Sequence, residues 1–324
     1  MLSVQFANRP ESIAVYSTQP RLPCGSARRE SRVPRLRIRD CDIVYDDVPP
    51  AATTAAGTLL LVHGHPFDRT MWRPQLPAAA DGGWRVVAPD LRGYGGSDVT
   101  PGVVTLEAFA DDLAALLDAL DIEHAGVGGL SMGGQIVMAM CQRHPARIHG
   151  VLLAATFARV DTAEVRASRF ATADRITEHG ITSVADDVLP RMLAPASCVA
   201  QPTLRATVHG MMRAAPALGA AAALRGRADR QAYESVLSTV HEPASIVVGD
   251  QDAFTTRADV EAMRSRLPDV EVVWMPGVGH MPNLEQSDRF NQAMLRLLAA
   301  SQRGTWARDL PAREDSSRTS PFPP

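Results

Sequence analysis

Short runs of apolar residues recur along the chain, separated by segments in which polar residues, glycine and proline are frequent. A run that is apolar at every position predicts a strand buried on both faces, as in a parallel sheet. Ahead of the first run, apolar and polar residues alternate over 35–48, which predicts an antiparallel strand pair. The further predicted strands are 58–62, 84–89, 125–130, 150–156, 244–249 and 270–275.

Helical periodicity lies between these strands. Apolar residues at spacings of three and four predict amphipathic helices over 105–120 and 287–300, and a nearly all-apolar helix over 132–144. From 157 to 240 only helical segments are predicted, at 161–179, 182–193, 202–214 and 216–228. We therefore predict an α/β fold: a mostly parallel sheet with helices on both faces and a helical insertion after the sixth strand.

This pattern divides the chain into a core and an insertion. We expect the α/β core to comprise residues 35–156 and 241–302, and residues 157–240 to form a helical cap over the carboxyl edge of the sheet, where open α/β sheets hold ligands. Residues 1–34 are rich in arginine and lack an apolar segment typical of secretory signals, so they predict a disordered leader. A disordered tail is predicted over 303–324.

Composition excludes several function classes. The 324-residue chain has a formal net charge of −3, which gives no indication of a nucleic-acid or membrane partner. All its basic residues other than histidine are arginine, so a Schiff-base lysine mechanism is excluded. The four cysteines lack metal-site or disulfide spacing, which favours a reducing, cytoplasmic location; they are Cys24, Cys41, Cys141 and Cys198.

A strand-to-helix junction contains the first candidate for chemistry. Gly129-Leu130-Ser131-Met132-Gly133 follows an apolar strand and begins a helix, the setting in which a G-x-S-x-G pattern marks a nucleophilic serine. Its glycines remove side chains that would clash across a sharp turn. Ser131 is therefore the candidate nucleophile, although a chance match to this pattern alone is not rare.

An earlier strand ends in His63-Gly64-His65-Pro66. A serine hydrolase needs two backbone N–H groups directed at the developing oxyanion, and we predict Met132 and His65 as their donors. His63 is expected to brace this loop. The alternative, a metal pair of His63 and His65, lacks further ligands at metal spacing.

Two loops late in the chain supply the remaining groups. His280 follows the last strand in a glycine-rich loop, which makes it the candidate general base. Asp250 and Asp252 both follow strand 244–249, and Asp252 is the preferred acid because it lies further into the loop. The chain order Ser131, Asp252, His280 is that of α/β-hydrolases.

On these motifs, the chain resembles the α/β-hydrolase superfamily over about residues 56–300. The stretches 90–98 and 279–285 add to that resemblance. Within the superfamily it is similar to the esterase, 3-oxoadipate enol-lactonase and cofactor-free haloperoxidase group. Haloalkane dehalogenases and epoxide hydrolases differ, because they carry aspartate where this chain has Ser131.

The resemblance and the motifs together imply a serine hydrolase that cleaves a small carboxylic ester or lactone, with no cofactor and no metal. C–C bond hydrolysis, perhydrolysis or haloperoxidation on the same triad remain alternatives, as does a non-catalytic small-molecule sensor. Substrate-binding residues are not identified by periodicity, although five apolar residues of the insertion are candidates for the acyl site: Phe157, Met192, Leu193, Met211 and Met212.

Overall fold

The computed structural model of the protein describes residues 33–303. Within this range the chain forms one eight-stranded sheet. The strands are β1 (Arg35–Ile38), β2 (Cys41–Val48), β3 (Gly57–Val62), β4 (Trp84–Pro89), β5 (Ala125–Leu130), β6 (Ile148–Ala154), β7 (Ala244–Gly249) and β8 (Val270–Met275). Each strand predicted from the sequence is present.

The sheet is mostly parallel, in the order β1-β2-β4-β3-β5-β6-β7-β8. Only β2 is antiparallel to its neighbours β1 and β4 in this part of the chain. In register, Val62 of β3 pairs with Gly129 of β5, and Ala154 of β6 pairs with Leu130 and Val247. The carboxyl ends of β3, β5, β6 and β7 therefore meet at one edge of the sheet.

Both faces of the central strands are buried, which explains their continuous apolar runs. In β3, Leu60 and Val62 belong to one hydrophobic cluster while Leu59 and Leu61 belong to another, and all four are at most 1% exposed. Burial of each such side chain contributes about 1.5–3 kcal/mol to folding. A polar substitution on either face of this strand would therefore enter a core.

Twelve α-helices accompany the sheet between residues 33 and 303. The helices are α1 (Gln75–Asp81), α2 (Leu106–Ala119), α3 (Met132–Arg143), α4 (Ala163–His179), α5 (Thr182–Met192), α6 (Pro195–Ala200), α7 (Pro202–Ala214), α8 (Ala217–Ala228), α9 (Glu234–Leu237), α10 (Arg257–Arg264), α11 (Pro282–Glu285) and α12 (Ser287–Arg303). Helices α4 to α9 lie between β6 and β7 and are called the helical insertion below. The predicted fold class, with an insertion after the sixth strand, is confirmed.

Local sequence determines where these helices begin. Thr105 precedes α2 in extended conformation, and its hydroxyl accepts a hydrogen bond from Ala108 N–H, which caps the helix. The apolar stripe that predicted this helix, with Phe109 and Leu113, packs into the core. Thr256 and Asp259 form a reciprocal capping box at the start of α10, a helix that the apolar pattern did not predict.

The predicted leader (1–34) and tail (303–324) lie outside the described residues, apart from Val33, Pro34 and Arg303, the last residue of α12. The division into core and cap domains stays a prediction. Among the helices of residues 33–303, none is both long and apolar enough to cross a membrane.

Candidate active site

Ser131 lies at a sharp turn between β5 and α3. Its φ of 56° and ψ of −113° place it in a strained backbone region that non-glycine residues seldom adopt. Two hydrogen bonds hold this conformation: Ser131 N–H donates to the Ala154 carbonyl (2.9 Å), and the Ser131 carbonyl accepts from the Thr156 hydroxyl (2.7 Å). The turn thus has the conformation of a nucleophile elbow.

Two glycines make this turn possible. A Cβ on Gly129 would collide with the backbone of Gly133, and a Cβ on Gly133 would collide with the Val62 carbonyl of β3. Neither obstacle is a movable side chain, so any substitution here would displace the backbone that supports Ser131.

His280 lies in the loop after β8 and is held from both sides. Its Nδ1 lies 2.9 Å and 3.0 Å from the two carboxylate oxygens of Asp252. The Phe254 ring lies 4.6 Å from the imidazole centroid to centroid, and His280 N–H donates to the Met192 carbonyl at 3.2 Å. With Nδ1 directed at a carboxylate, Nε2 is left free to accept a proton.

Asp252 is the carboxylate brought to the histidine, and its side chain is fully buried. Burial raises the pKa of Asp252, but the charge and hydrogen bond of His280 and the N–H groups of Phe254 and Thr255 outweigh it and hold the pKa below its usual value. Asp250 lies elsewhere in the loop, where it accepts a hydrogen bond from Gly277 N–H at 2.8 Å.

The loop after β3 brings His65 beside Ser131 in the same cavity, described below. His65 Nδ1 lies 2.7 Å from the Tyr94 hydroxyl. Burial, followed by the positive charges of Arg227 and Arg169, lowers the pKa of His65 to about 3, so its imidazole is neutral near pH 7. Met132, the other predicted oxyanion donor, directly follows Ser131 and is fully buried.

His63 braces the loop from inside the core. Its Nδ1 lies 2.9 Å from the Gly64 carbonyl, and its Nε2 accepts a hydrogen bond from Leu91 N–H at 3.0 Å. Both ring nitrogens are therefore engaged with backbone. From Val33 to Arg303 there is no group of three or more histidine, cysteine, aspartate or glutamate residues that could hold a metal ion.

A cavity of about 390 Å³ connects the predicted site to the helical insertion. Ser131, His65 and His280 line it from the sheet edge, while Asp252 lies behind His280. Of the five apolar candidates in the insertion, Phe157, Met192 and Met212 line the cavity; Leu193 and Met211 are buried in the core instead. Helical spacing does not show which face of each helix is directed at a cavity.

Sequence reasoning missed Glu285, a buried residue of α11. Its Oε1 accepts hydrogen bonds from Gly279 N–H (3.0 Å) and Met281 N–H (3.3 Å), on either side of His280. Its Oε2 accepts from Ala194 N–H at 2.9 Å, in the helical insertion. One carboxylate therefore fixes the loop of the histidine against the insertion.

Two further residues of the site were also missed. Arg227 of α8 lines the cavity, and its Nε donates to Gln135 Oε1 in α3 at 2.7 Å. Arg227 gave no signal in the sequence, because its partner Gln135 is 92 positions away.

Comparison with known proteins identifies the family of this chain. The model of a family described as having the alpha/beta hydrolase fold matches residues 57–287, more than half of the chain. The chain belongs to the α/β-hydrolase family. It is an enzyme of that family, a hydrolase, as the resemblance implied.

Individual relatives cover much of this α/β-hydrolase. It is 30% identical to 3-oxoadipate enol-lactonase 1 of Acinetobacter baylyi over 69% of this chain and 82% of that protein. A malate-bound structure of a thermophilic esterase from Thermogutta terrifontis has a TM-score of 0.79 and 34% identity, covering 83% of this chain and 99% of the esterase. The enol-lactonase from Burkholderia xenovorans LB400 has a TM-score of 0.76 and 27% identity, covering 82% and 100%.

Proposed function

We propose that this hydrolase cleaves a small carboxylic ester or lactone through an acyl-enzyme, with Ser131 as nucleophile, His280 as general base and Asp252 as the acid that orients it. One observation carries the proposal: Ser131 on its strained turn and His280 on its Asp252 support line the same cavity. The similarity to an enol-lactonase and an esterase supports the bond type.

The reaction begins with transfer of the Ser131 hydroxyl proton to His280 Nε2 as the serine oxygen attacks the carbonyl carbon. The negative charge on the carbonyl oxygen is stabilised by the N–H groups of Met132 and His65. Collapse of the tetrahedral intermediate breaks the ester C–O bond, and the imidazolium returns the proton to the leaving alkoxide. In a lactone, the released hydroxyl stays attached to the acyl group.

The second half restores the enzyme. Water gives a proton to His280 Nε2 and attacks the acyl-enzyme, and the new intermediate collapses to the carboxylic acid while Ser131 regains its proton. Asp252 keeps the Nδ1–H tautomer in place throughout and stabilises the imidazolium. Its low pKa keeps it a carboxylate at neutral pH.

The proposal also covers the domain division, the partner and the cellular location of the protein. Residues 157–240 act as a cap over a core of 35–156 and 241–302, because the cavity lies between the insertion and the sheet edge. A small molecule is the proposed partner, and a cytoplasmic location is favoured by the free thiols of Cys41, Cys141 and Cys198.

A fluorophosphonate probe tests the nucleophile, together with a panel of short-chain esters and small lactones. We expect stoichiometric labelling and turnover in the wild type, and loss of both in Ser131→Ala. Ser265→Ala, at an exposed serine of the loop after α10, is the matched control and should behave as wild type. Equal turnover or labelling by Ser131→Ala would refute the proposal. Peroxide-dependent halogenation in acetate without ester cleavage would refute it in favour of perhydrolysis.

A further inference from the structure

The wall of the cavity is rich in arginine. Arg159, Arg169, Arg191 and Arg227 all line it, and Asp161 is the one carboxylate among the lining residues. Because a cavity of this kind concentrates ligands of opposite charge, the pairing state of each arginine decides what it would bind.

Two of these arginines are matched by carboxylates. Arg159 Nε donates to Asp259 at 2.6 Å. Arg169 Nε donates to Asp161 at 2.5 Å, and Arg230 behind the cavity donates to both oxygens of the same carboxylate at 2.6 and 3.0 Å. Asp161 is thus shared by two guanidinium groups, and its side chain is 1% exposed.

Arg227 has no such partner. The residue is 8% exposed, and its Nε donates to the neutral amide oxygen of Gln135 at 2.7 Å. Among residues 33–303, no carboxylate forms an ion pair with Arg227, and neither of its terminal amino groups forms a hydrogen bond. A buried guanidinium is therefore left with two unbonded amino groups and a positive charge in a cavity that also contains Ser131 and His280.

This arrangement disfavours the charge when no ligand is bound. Burial, followed by the charges of Arg169 and Arg230, lowers the pKa of Arg227, and the negative charge of Asp161 offsets this only in part. Buried charges without partners are strongly destabilising, so a protein that keeps one at a cavity wall keeps it for a ligand of opposite charge.

We propose that Arg227 binds a carboxylate on the substrate itself, so that the natural ester or lactone is an anion; this rests on the proposed function. The guanidinium pairs with carboxylate oxygens in a fork, which fixes orientation as well as charge. The substrate carboxylate accepts hydrogen bonds from the terminal amino groups of Arg227, which form none within the described part of the chain. The reacting carbonyl of the substrate then lies towards Ser131. The cavity volume of about 390 Å³ limits this substrate to a small molecule.

Arg191 gives the same wall a second, outer cation. It is exposed, donates to the Ala253 carbonyl at 3.3 Å and lies 4.2 Å above the Phe254 ring, without a carboxylate partner in the range 33–303. An exposed cation at the cavity attracts anions from solution, and its effect is screened by salt. Arg191 therefore guides the anion towards Arg227.

The test compares monomethyl esters of succinate, glutarate and adipate with the methyl esters of the corresponding monoamides. The two members of each pair have the same chain length. One carries a carboxylate and the other carries a neutral carboxamide in its place. We expect the wild type to prefer the anionic member, and Arg227→Gln to lose kcat/KM for it by roughly 10- to 100-fold while the amide ester changes little. Arg225→Gln removes the same charge from α8 at a residue paired with Asp174 outside the cavity, and should retain the preference.

Binding is measured separately from chemistry. Monomethyl glutarate is titrated calorimetrically into Ser131→Ala and into Ser131→Ala combined with Arg227→Gln, and we expect the Kd to rise by about 10- to 100-fold in the second. Arg227→Gln should be at least as stable as wild type in thermal unfolding, since it removes a buried unpaired charge. If Arg227 has a structural role instead, the variant should unfold at a lower temperature than the wild type.

The outcomes separate the two proposals. Ser131-dependent cleavage of the amide esters as fast as the anionic esters would overturn the anion site and leave the serine hydrolase standing. An unchanged Kd on loss of Arg227 would overturn the anion site as well. Anion binding that needs Arg227, with no cleavage of any ester or lactone and no Ser131 labelling, would support the site and refute the hydrolase proposal.

Discussion

Gln135 and Arg227 join the helix that follows the nucleophile to the helical insertion. Arg227 in α8 donates from Nε to Gln135 Oε1 at 2.7 Å, and Gln135 N–H in turn donates to the Ser131 carbonyl at 3.2 Å. Gln135 is fully buried. A neutral amide at this position orients the guanidinium and leaves its charge available to a ligand.

Gln135→Glu should therefore reduce the preference for anionic substrates. The substitution keeps the shape of the side chain and puts a carboxylate beside Arg227, which then has an internal partner. We expect the ratio of kcat/KM for monomethyl glutarate to that for its amide to fall about 10-fold, equivalent to 1.4 kcal/mol. Gln142→Glu, at an exposed position of the same helix, is the charge-matched control. A ratio unchanged in Gln135→Glu would argue against the role of Arg227.

Asp252→Asn should abolish most of the activity and leave binding nearly intact. Asparagine can donate to His280 Nδ1 and so favours the tautomer in which Nε2 carries the hydrogen, which is useless for a general base. In a serine protease the corresponding change lowers kcat about 10⁴-fold, and we expect about 10³- to 10⁴-fold here. Steady-state kinetics on a short ester would measure it.

Asp250→Asn provides the comparison for that experiment. Asp250 lies in the same loop but is bound to Gly277 N–H instead of His280. It should keep kcat within about threefold, since only interactions that strengthen in the transition state lower the barrier and Asp250 is bound to Gly277 N–H instead of a reacting group. Equal losses of kcat in Asp250→Asn and Asp252→Asn would show that activity depends on the structure of the loop and not on the contact between Asp252 and His280.

Acid should destabilise the protein in part through His65. Burial and the charges of Arg227 and Arg169 hold the pKa of His65 at about 3, below the value of about 6.5 in an unfolded chain. Between these values the unfolded state binds a proton that the folded state does not, so stability is complete above pH 6.5 and falls as the pH drops towards 3. The unfolding free energy falls by at most about 1.4 kcal/mol for each pH unit in this range.

His65→Gln retains a side chain that can form a hydrogen bond with the Tyr94 hydroxyl, and it removes the imidazole that titrates. Urea unfolding at pH 7 and pH 5 should show a smaller loss of unfolding free energy in the variant than in the wild type. His179→Gln, at an exposed histidine, should respond to acid as the wild type does. An equal acid response in His65→Gln and the wild type would contradict the expected protonation state.

The sheet could be predicted from the sequence because its strands are buried on both faces. The run Thr58–Val62 has no polar position after its first residue, and a helix of that length would not be stable alone. The placement of Ser131, Asp252 and His280 followed from the same logic, since the carboxyl ends of parallel strands meet at one edge. Local pattern and topology were sufficient to predict where these residues lie in the fold, while their catalytic roles stay a prediction.

Helix α1, which lies outside the insertion, was not predicted because it contains Pro77 and is short, so its periodicity is weak. Contacts between the insertion and the core could not be predicted either. The approach of α8 to the core depends on backbone contacts, with Gly219 against Gly93 and Gly226 against Val104, which no periodicity describes. The role of Arg227 depends on which acids lie nearby, and that is decided by the packing of α4 against α8.

Glu285 makes the histidine and the insertion mechanically dependent on each other. The carboxylate that holds the residues flanking His280 also holds Ala194, and His280 N–H is bound to the Met192 carbonyl. Displacement of the backbone between α5 and α6 would therefore also displace the loop that carries His280. An insertion transplanted from another protein would have to supply the backbone contacts of Met192 and Ala194 to keep His280 in place.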